Sequence, residues 1–287
     1  MTADDGRGPI ALRMVLGAQL RRLRLACELT REEAGDAIRA SESKISRIEL
    51  GRVSVKTRDV GDLLTFYGVH DAEAREPLLE MATRTREAGW WQEYGDVMPD
   101  WFEEYVGLES AASLIRTYEV QFVPGLLQTA EYARAVSARG RAVEEQQEVE
   151  RHVHLRMARA KLLTRAAAPT LWAIVDETAL RRPIGGADVM RRQVEALIEA
   201  VARPNIRIQI MPLGIGGHPG EGGAFTILRF PNEEIRDVVY VEQLHGANYL
   251  SKPEDIEQYR DVVDRLAAEC PPPERTRDVL DRLHRQL

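Results

Sequence analysis

Side chains that can hydrogen-bond to the edges of DNA bases are concentrated in one short stretch, SESKISRIELGR at residues 41–52. Ile45 and Ile48 have the spacing of a buried helix face. The opposite face then carries Glu42, Ser43, Ser46 and Arg47. An arginine can bind guanine O6 and N7 in a bidentate pair, a glutamate can accept from cytosine N4, and a serine is a permissive short contact. The stretch predicts a helix whose outer face reads base edges.

Basic and hydroxyl side chains surround this helix and are candidates for contacts to phosphate. They are Arg31, Ser41, Lys44, Arg52 and Lys56. Phosphate contacts set the position of a protein on DNA, and a backbone N–H at a helix start adds to them.

Three short helices are predicted to position these groups. The first spans Val15–Cys27 and has Arg21, Arg22 and Arg24 on its outer side. Thr30 and Glu33 form a capping box for a second helix at 31–38, and Ser41 caps the third, which runs to about Leu50. Helices at 58–67 and 72–86 complete a bundle of about five. The alternative is a small helical bundle with a solvated charged face.

Composition and charge favour a focused contact with DNA over a general one. The chain has 287 residues, 44% hydrophobic and 30% charged, with a net charge of -7. Residues 1–70 carry 12 Lys and Arg against 10 Asp and Glu, so the rest is acidic. An acidic body with a locally basic module does not coat nucleic acid by bulk charge. The length predicts two domains.

Other features of the chain suggest neither a cofactor nor a membrane. Cys27 and Cys270 stand far apart, in no metal-ligand spacing. No run is long and apolar enough to span a bilayer, and the first ten residues lack the apolar core of a signal peptide. We therefore expect a cytoplasmic protein without a metal site or cofactor.

Aromatic residues cluster just after the predicted bundle. Trp90, Trp91 and Trp101 lie in an acidic segment that also contains Pro99. We expect a flexible arm at 1–10, a helix-turn-helix domain at 11–86, an aromatic connector at 87–107 and a C-terminal domain at 108–287. The aromatic side chains either pin the connector to the second domain or face a ligand or partner.

The C-terminal region alternates helix and strand signals. Runs rich in β-branched residues predict strands at 170–176, 205–212, 224–230 and 238–244. Helical patterns occur at 143–167, 186–203, 253–268 and 274–286. The predicted fold class is α+β overall: an all-α N-terminal bundle followed by an α+β domain with a small mixed or antiparallel sheet of about four strands.

A glycine-rich loop, GIGGHPGEGG at 214–223, contains His218 and Glu221, and Glu242 and His245 follow it. The loop joins two strands rather than a strand and a helix, so it is not a phosphate-binding loop. We expect a hairpin loop whose histidine and glutamate make structural contacts. A small-molecule pocket and a catalytic site are the alternatives, and no catalytic residue is assigned.

Two regions resemble known families. Leu29–Val69 resembles the Xre/Cro-type helix-turn-helix of bacterial and phage regulators, and SKISRIELGR is similar to the end of its recognition helix. Arg39 departs from that pattern, since the family usually has a glycine in the turn. A non-glycine residue with positive φ is uncommon, so a differently shaped turn is expected.

The second resemblance covers about residues 90–285. YEVQFVPGLLQTAEYARAV, DETALRRPIGG and HPGEGGAFTILRF, followed by DVVYVEQLHGANYL, resemble the large C-terminal domain of WhiJ-like regulators of actinomycetes. This resemblance implies a regulator of development or antibiotic production. It also implies a small BldB-like protein partner and no agreed catalytic residues.

Together these features predict a sequence-specific DNA-binding regulator, a repressor that binds double-stranded DNA as a homodimer. A small protein partner would control it through the C-terminal domain. The alternatives are a small-molecule-sensing regulator and, third, an enzyme fused to a DNA-binding module.

Overall fold

The computed structural model describes residues 9–87, 89–139, 146–232 and 235–287. Contacts divide the chain into two compact units. The first contains residues 1–92 and 230–236, and the second contains 93–229 and 237–287. Residues 1–8 of the expected arm and 143–145 of the expected long helix lie outside the described residues.

The first unit is a bundle of five α-helices. They are α1 Pro9–Ala26, α2 Arg31–Ala37, α3 Glu42–Glu49, α4 Thr57–Phe66 and α5 Ala72–Arg84. Their shared core contains Leu16, Leu20, Ala34, Ile45, Ile48, Val60, Leu63 and Leu64. This core follows from the apolar spacing of each helix, because i, i+3 and i+4 positions lie on one helix face.

Side-chain caps set where α2 and α3 begin. The Glu33 amide donates to Thr30 Oγ1 at 3.2 Å, and the Thr30 amide donates to a Glu33 carboxylate oxygen at 2.7 Å, which confirms the predicted capping box. Ser41 Oγ accepts from the Lys44 amide at 3.2 Å. Both caps satisfy backbone donors that the first helical turn leaves unpaired.

The expected outward position of Arg24 is wrong. Its side chain is buried, whereas Arg22 on the same helix is exposed. The guanidinium donates to the backbone oxygen of Leu29 at 2.5 Å and to the Glu49 carboxylate. Periodicity alone could not place Arg24, because its position depends on a carboxylate 25 residues away.

The second unit combines helices with one sheet. Its helices are α6 Asp100–Ala111, α7 Ala130–Ser137, α8 Gln146–Ala160, α9 Glu177–Arg181, α10 Ala187–Ala200, α11 Pro253–Glu269 and α12 Thr276–His284. Its strands are β1 Leu114–Glu119, β2 Thr170–Asp176, β3 Ile206–Met211, β4 Phe225–Arg229, β5 Val238–Gln243 and β6 Gly246–Leu250.

The sheet is mixed, with the strand order β3-β2-β1-β4-β5-β6. Strands β1, β2 and β3 are parallel, and β4, β5 and β6 are each antiparallel to their neighbours. One face packs on α11 through a core that includes Tyr118, Ile174, Phe225 and Leu266. These observations confirm the predicted α+β class.

The expected number of strands, about four, is too low. The sequence at 108–119 is compatible with either a helix or a strand, and the structure divides it between the end of α6 and β1. The strand β6, GANYL, lacks β-branched residues and was not predicted. The strand β6 is stabilised by its pairing with β5 rather than by its own propensity.

The expected hairpin at the glycine-rich loop is also wrong. The loop 214–223 connects β3 to β4, and these strands are separated by β2 and β1 in the sheet. Hairpin strands must be neighbours, so this segment is a crossover. It passes close to Tyr118, because a Cβ on Gly220 would lie 2.5 Å from the Tyr118 ring.

The segment predicted as an aromatic connector contains regular structure. A 3₁₀ turn at Trp90–Tyr94 is followed by α6, and Pro99 is the N-cap of α6. Asp100 and Glu103 lie in the first turn of α6, where negative charge favours a helix. None of the helices in the described ranges has the length and apolar character needed to cross a membrane.

Candidate nucleic-acid interface

The backbone of the α3 segment lies in close contact with the backbone of α1. A Cβ added to Gly17 would lie 2.3 Å from the carbonyl oxygen of Ile48. Gly51, which follows α3, has φ +69°, and a Cβ there would lie 2.7 Å from the Cα of Met14. Only glycine permits these two contacts. The two glycines therefore set the position of α3 on the bundle.

A buried ion pair holds the C-terminal end of α3. Glu49 accepts from Arg24 Nε at 2.5 Å and from Arg24 Nη2 at 3.1 Å. The hydrogen bonds to Glu49 raise the pKa of Arg24 further above its already high ordinary value. Arg31 Nε also approaches Glu49, at 3.4 Å. One carboxylate thus links α1, α2 and α3.

Sequence reasoning did not identify Glu49 as a structural residue, although a signal was present. Ile45, Ile48 and Glu49 have the i, i+3, i+4 spacing of one buried face. A carboxylate on that face requires a buried basic partner. Arg24 supplies it.

The outer face of α3 is open to solvent where base-reading residues were predicted. Glu42, Ser43 and Arg47 are exposed, and Ser46 is half-buried. Among the residues that the structure describes, no side chain forms a hydrogen bond or ion pair with Arg47. Its guanidinium therefore has its donors available for an external acceptor.

The predicted phosphate-contacting residues differ in their surroundings. Ser41 caps α3, and Arg31 is shared with Glu49. Lys44 Nζ lies 3.9 Å from Asp59 Oδ2. Arg52 and Lys56 are exposed on the segment after α3. Ser41, Arg31 and Lys44 thus also contribute contacts within the bundle.

The turn between α2 and α3 keeps a left-handed residue despite the missing glycine. Arg39 has φ +54°, so the expected change of turn shape through Arg39 is not observed. The Ala40 amide donates to the Gly35 carbonyl at 2.8 Å, and a Cβ on Gly35 would lie 2.5 Å from the Ala40 carbonyl oxygen. Arg39 accepts a strained conformation that this compact turn requires.

Two family models match different parts of the chain. Residues 15–78 match the family model described as a helix-turn-helix domain. Residues 102–282 match the model described as a domain of unknown function, DUF5753. The chain belongs to the DUF5753 family. No curated protein and no solved structure matches the chain significantly.

The helix-turn-helix domain supports a DNA-binding regulator, and it coincides with the bundle that carries α3. The DUF5753 domain lies downstream and contains the mixed sheet. The description of this family names no activity, so we infer the function of the domain from its side chains.

The aromatic candidates fall into both units. Trp90 and Trp91 belong to the first unit, with ring centroids 5.9 Å apart and Trp91 buried. Trp101 belongs to the second unit and lies 5.7 Å from the ring of Phe102.

The loop histidine of the DUF5753 domain has internal contacts. His218 Nδ1 accepts from the Gly220 amide at 3.1 Å, so the ring hydrogen lies on Nε2 and is donated to the Tyr118 hydroxyl at 3.2 Å. Glu221 and His245 are exposed. In the part of the chain that the structure describes, no three His, Cys, Asp or Glu side chains could hold a metal ion together.

Proposed function

We propose that this protein is a sequence-specific transcriptional repressor that reads DNA with α3. The observation that carries the proposal is the exposed polar face of α3, with Arg47 at its centre, on a helix held by glycine contacts and a buried ion pair. A rigid helix lowers the entropy that is lost when its side chains meet base edges. Glu42, Ser43, Ser46 and Arg47 read bases, and Arg31, Ser41, Lys44, Arg52 and Lys56 contact phosphates.

The repressor binds as a homodimer to a palindromic or repeated site. A single short helix reads only a few base pairs, so two copies are needed for a specific operator. Their α3 helices then lie about 34 Å apart and meet successive major grooves.

The DUF5753 domain is the regulatory part of this cytoplasmic protein. Its resemblance to the C-terminal domain of WhiJ-like regulators supports control by a small BldB-like protein. No cofactor and no catalytic activity are assigned to the domain. The two ring nitrogens of His218 are both engaged, which argues against His218 as a general base.

DNA-site selection with the full chain tests this function. Random duplexes are selected at near-physiological salt, with and without a small BldB-like protein, and the mass of the protein–DNA complex is measured on the selected site. We expect a two-fold or repeated consensus, bound by two chains, whose occupancy changes with the partner. Enrichment of no sequence, or equal binding to all duplexes, would refute specific recognition.

A second candidate, a small-molecule-sensing regulator, is favoured by a group of charged residues within the DUF5753 domain. These residues, Glu119, Arg156 and Glu242, are half-buried or exposed and do not pair with one another.

A further inference from the structure

Two glutamates lie in one row across the sheet of the second unit. The register pairs Tyr118 with Phe225 and Thr226 with Tyr240. Thr117, Thr226 and Tyr240 are paired in one row, and Glu119 and Glu242 lie two residues beyond it on β1 and β5, on the same face of the sheet. Because β4 separates β1 from β5, their Cα atoms are about two strand spacings apart, roughly 10 Å.

The same row is oriented by hydroxyl groups. The Tyr240 hydroxyl donates to Glu242 Oε2 at 2.9 Å. Thr117 Oγ1 lies 3.4 Å from Glu119 Oε1, and it also lies 2.9 Å from Thr226 Oγ1. Glu242 is exposed and Glu119 is half-buried, so the row opens to solvent at the Glu242 end.

An arginine on α8 lies on the side of that helix that covers the same face of the sheet. Arg159, one turn further along α8, has its guanidinium carbon 5.4 Å from the Tyr105 ring, which lies 4.2 Å from the Tyr240 ring. Arg156 is half-buried, and its Nη1 donates to Gln128 Oε1 at 2.8 Å. Gln128 is itself oriented, because its Nε2 donates to the Val123 carbonyl at 2.7 Å. The guanidinium is therefore positioned by a neutral amide whose direction is determined by the backbone.

Arg156, Glu119 and Glu242 do not form ion pairs with one another. Within the described ranges of the chain, neither Arg156 nor Glu119 forms an ion pair. In contrast, Arg159, one turn further along α8, forms a paired arrangement: it donates two hydrogen bonds to the Glu109 carboxylate, at 2.9 and 2.8 Å. Partly buried charges normally acquire such partners, because desolvation without pairing is costly.

The electrostatics support a shared environment. Burial, followed by the charge of Glu242, raises the pKa of Glu119 to about 7. Burial, followed by the charge of Arg159, lowers the pKa of Arg156 to about 10, and Glu242 and Glu119 partly offset this shift. The charge of Glu242 thus acts on both Glu119 and Arg156, although neither forms an ion pair with it.

We propose that Arg156, Glu119 and Glu242 form a binding site for a small zwitterion of the α-amino acid class. The ligand carboxylate binds the Arg156 guanidinium, which suits bidentate recognition. The ligand ammonium lies between Glu119 and Glu242. One molecule with both groups supplies the oppositely charged partners of the arginine and of the two glutamates.

This site goes beyond DNA recognition and can be tested without DNA. Only the step from ligand binding to altered repression rests on the proposed function. An Arg47→Ala variant that no longer binds DNA specifically should bind the ligand unchanged, so failure of the repressor proposal and failure of the site are distinguishable.

The test is calorimetric titration of the full chain with each standard free amino acid at millimolar concentrations. We expect at least one to bind saturably. Its N-acetyl derivative, which lacks the ammonium, and its methyl ester, which lacks the carboxylate, should each bind at least about tenfold more weakly. Absence of saturable binding by every amino acid, or equal binding of the blocked forms, would overturn the proposal.

Variants then locate the site. Glu242→Gln keeps the fold because Glu242 is exposed, and it should weaken binding by about tenfold. Arg156→Gln should weaken it further. Glu221→Gln, an exposed glutamate of the glycine-rich loop, is the matched control and should bind normally. Unchanged affinity of Glu242→Gln would show that the ligand binds elsewhere and would overturn the assignment.

Discussion

Arg24 and Glu49 connect the first helix of the bundle to the end of α3 through two hydrogen bonds, at 2.5 and 3.1 Å. Their side chains are 6% and 3% exposed. A pair removed from water to this degree adds little net stability, but the loss of one partner leaves a buried charge. The pair therefore specifies the placement of α3.

Replacing Arg24 by Met should lower the free energy of unfolding of the first unit by about 3–5 kcal/mol, because Glu49 is left buried without its main partner. Urea unfolding, with hydrogen exchange of α1 and α3 amides, measures this loss. Arg58→Met is the matched control, since Arg58 pairs with Asp62 at 3.8 Å on the exposed surface. Equal stability of the two variants would contradict a structural role for the buried pair.

Gly17→Ala should destabilise the same unit by about 1–3 kcal/mol, because the new methyl group would overlap the Ile48 carbonyl and force α3 away from α1. Thermal and urea unfolding measure the change. Gly61→Ala in α4 is the control: its Cβ would meet nothing closer than 3.7 Å, so it should stabilise by about 0.5–1 kcal/mol. A neutral Gly17→Ala would show that the helices are less tightly packed.

Arg39→Gly should raise the free energy of unfolding by about 0.5–1 kcal/mol. A non-glycine residue in the left-handed region costs roughly 1–2 kcal/mol, and the greater freedom of glycine in the unfolded chain offsets part of the gain. Glu80→Gly, at an exposed position inside α5, should instead destabilise by about 1 kcal/mol. Destabilisation by both variants would argue against strain at Arg39.

Arg47→Ala should weaken binding to the selected operator by about 1–3 kcal/mol and relax specificity at one base pair. Arg52→Ala should weaken all sequences alike and reduce the slope of affinity against salt concentration. Fluorescence anisotropy with operator and single-substituted duplexes at several salt concentrations separates the two effects. If Arg47→Ala weakened every duplex equally, Arg47 would be a phosphate contact.

Glu119 should make the second unit less stable as pH rises from about 4.5 to about 7. Its pKa is raised to about 7 in the folded protein, so the folded state holds a proton that the unfolded chain has already released. The loss is at most about 1.4 kcal/mol per pH unit for one group. Unfolding of the unmodified chain and Glu119→Gln across this range measures it.

Over that pH range the difference in stability between Glu119→Gln and the unmodified chain should grow in favour of the variant. Glu221→Gln provides the control, because Glu221 is exposed. If the free energy of unfolding of Glu119→Gln changed with pH in parallel with that of the unmodified chain, Glu119 would not be the titrating group.

Local features of the sequence predicted that the bundle has about five helices, although α1 begins at Pro9, inside the expected arm, rather than at Val15. The capping box of Thr30 and Glu33 and the cap at Ser41 depend on residues three positions apart, so they can be recognised without the fold. The same is true of β2, whose apolar run predicted its bounds. The candidate base-reading residues also followed from helical periodicity, and their contacts with DNA remain predictions.

The sequence by itself determined the class of the protein: a helix-turn-helix bundle followed by an α+β domain. Only the tertiary structure decided the pairing of Arg24 with Glu49, the crossover of the glycine-rich loop, and the strand register that puts Glu119 and Glu242 on one face of the sheet. Helix caps and periodicity act over a few residues. Strand order and buried ion pairs depend on contacts between segments that are distant in sequence. A local sequence pattern does not contain information about those contacts.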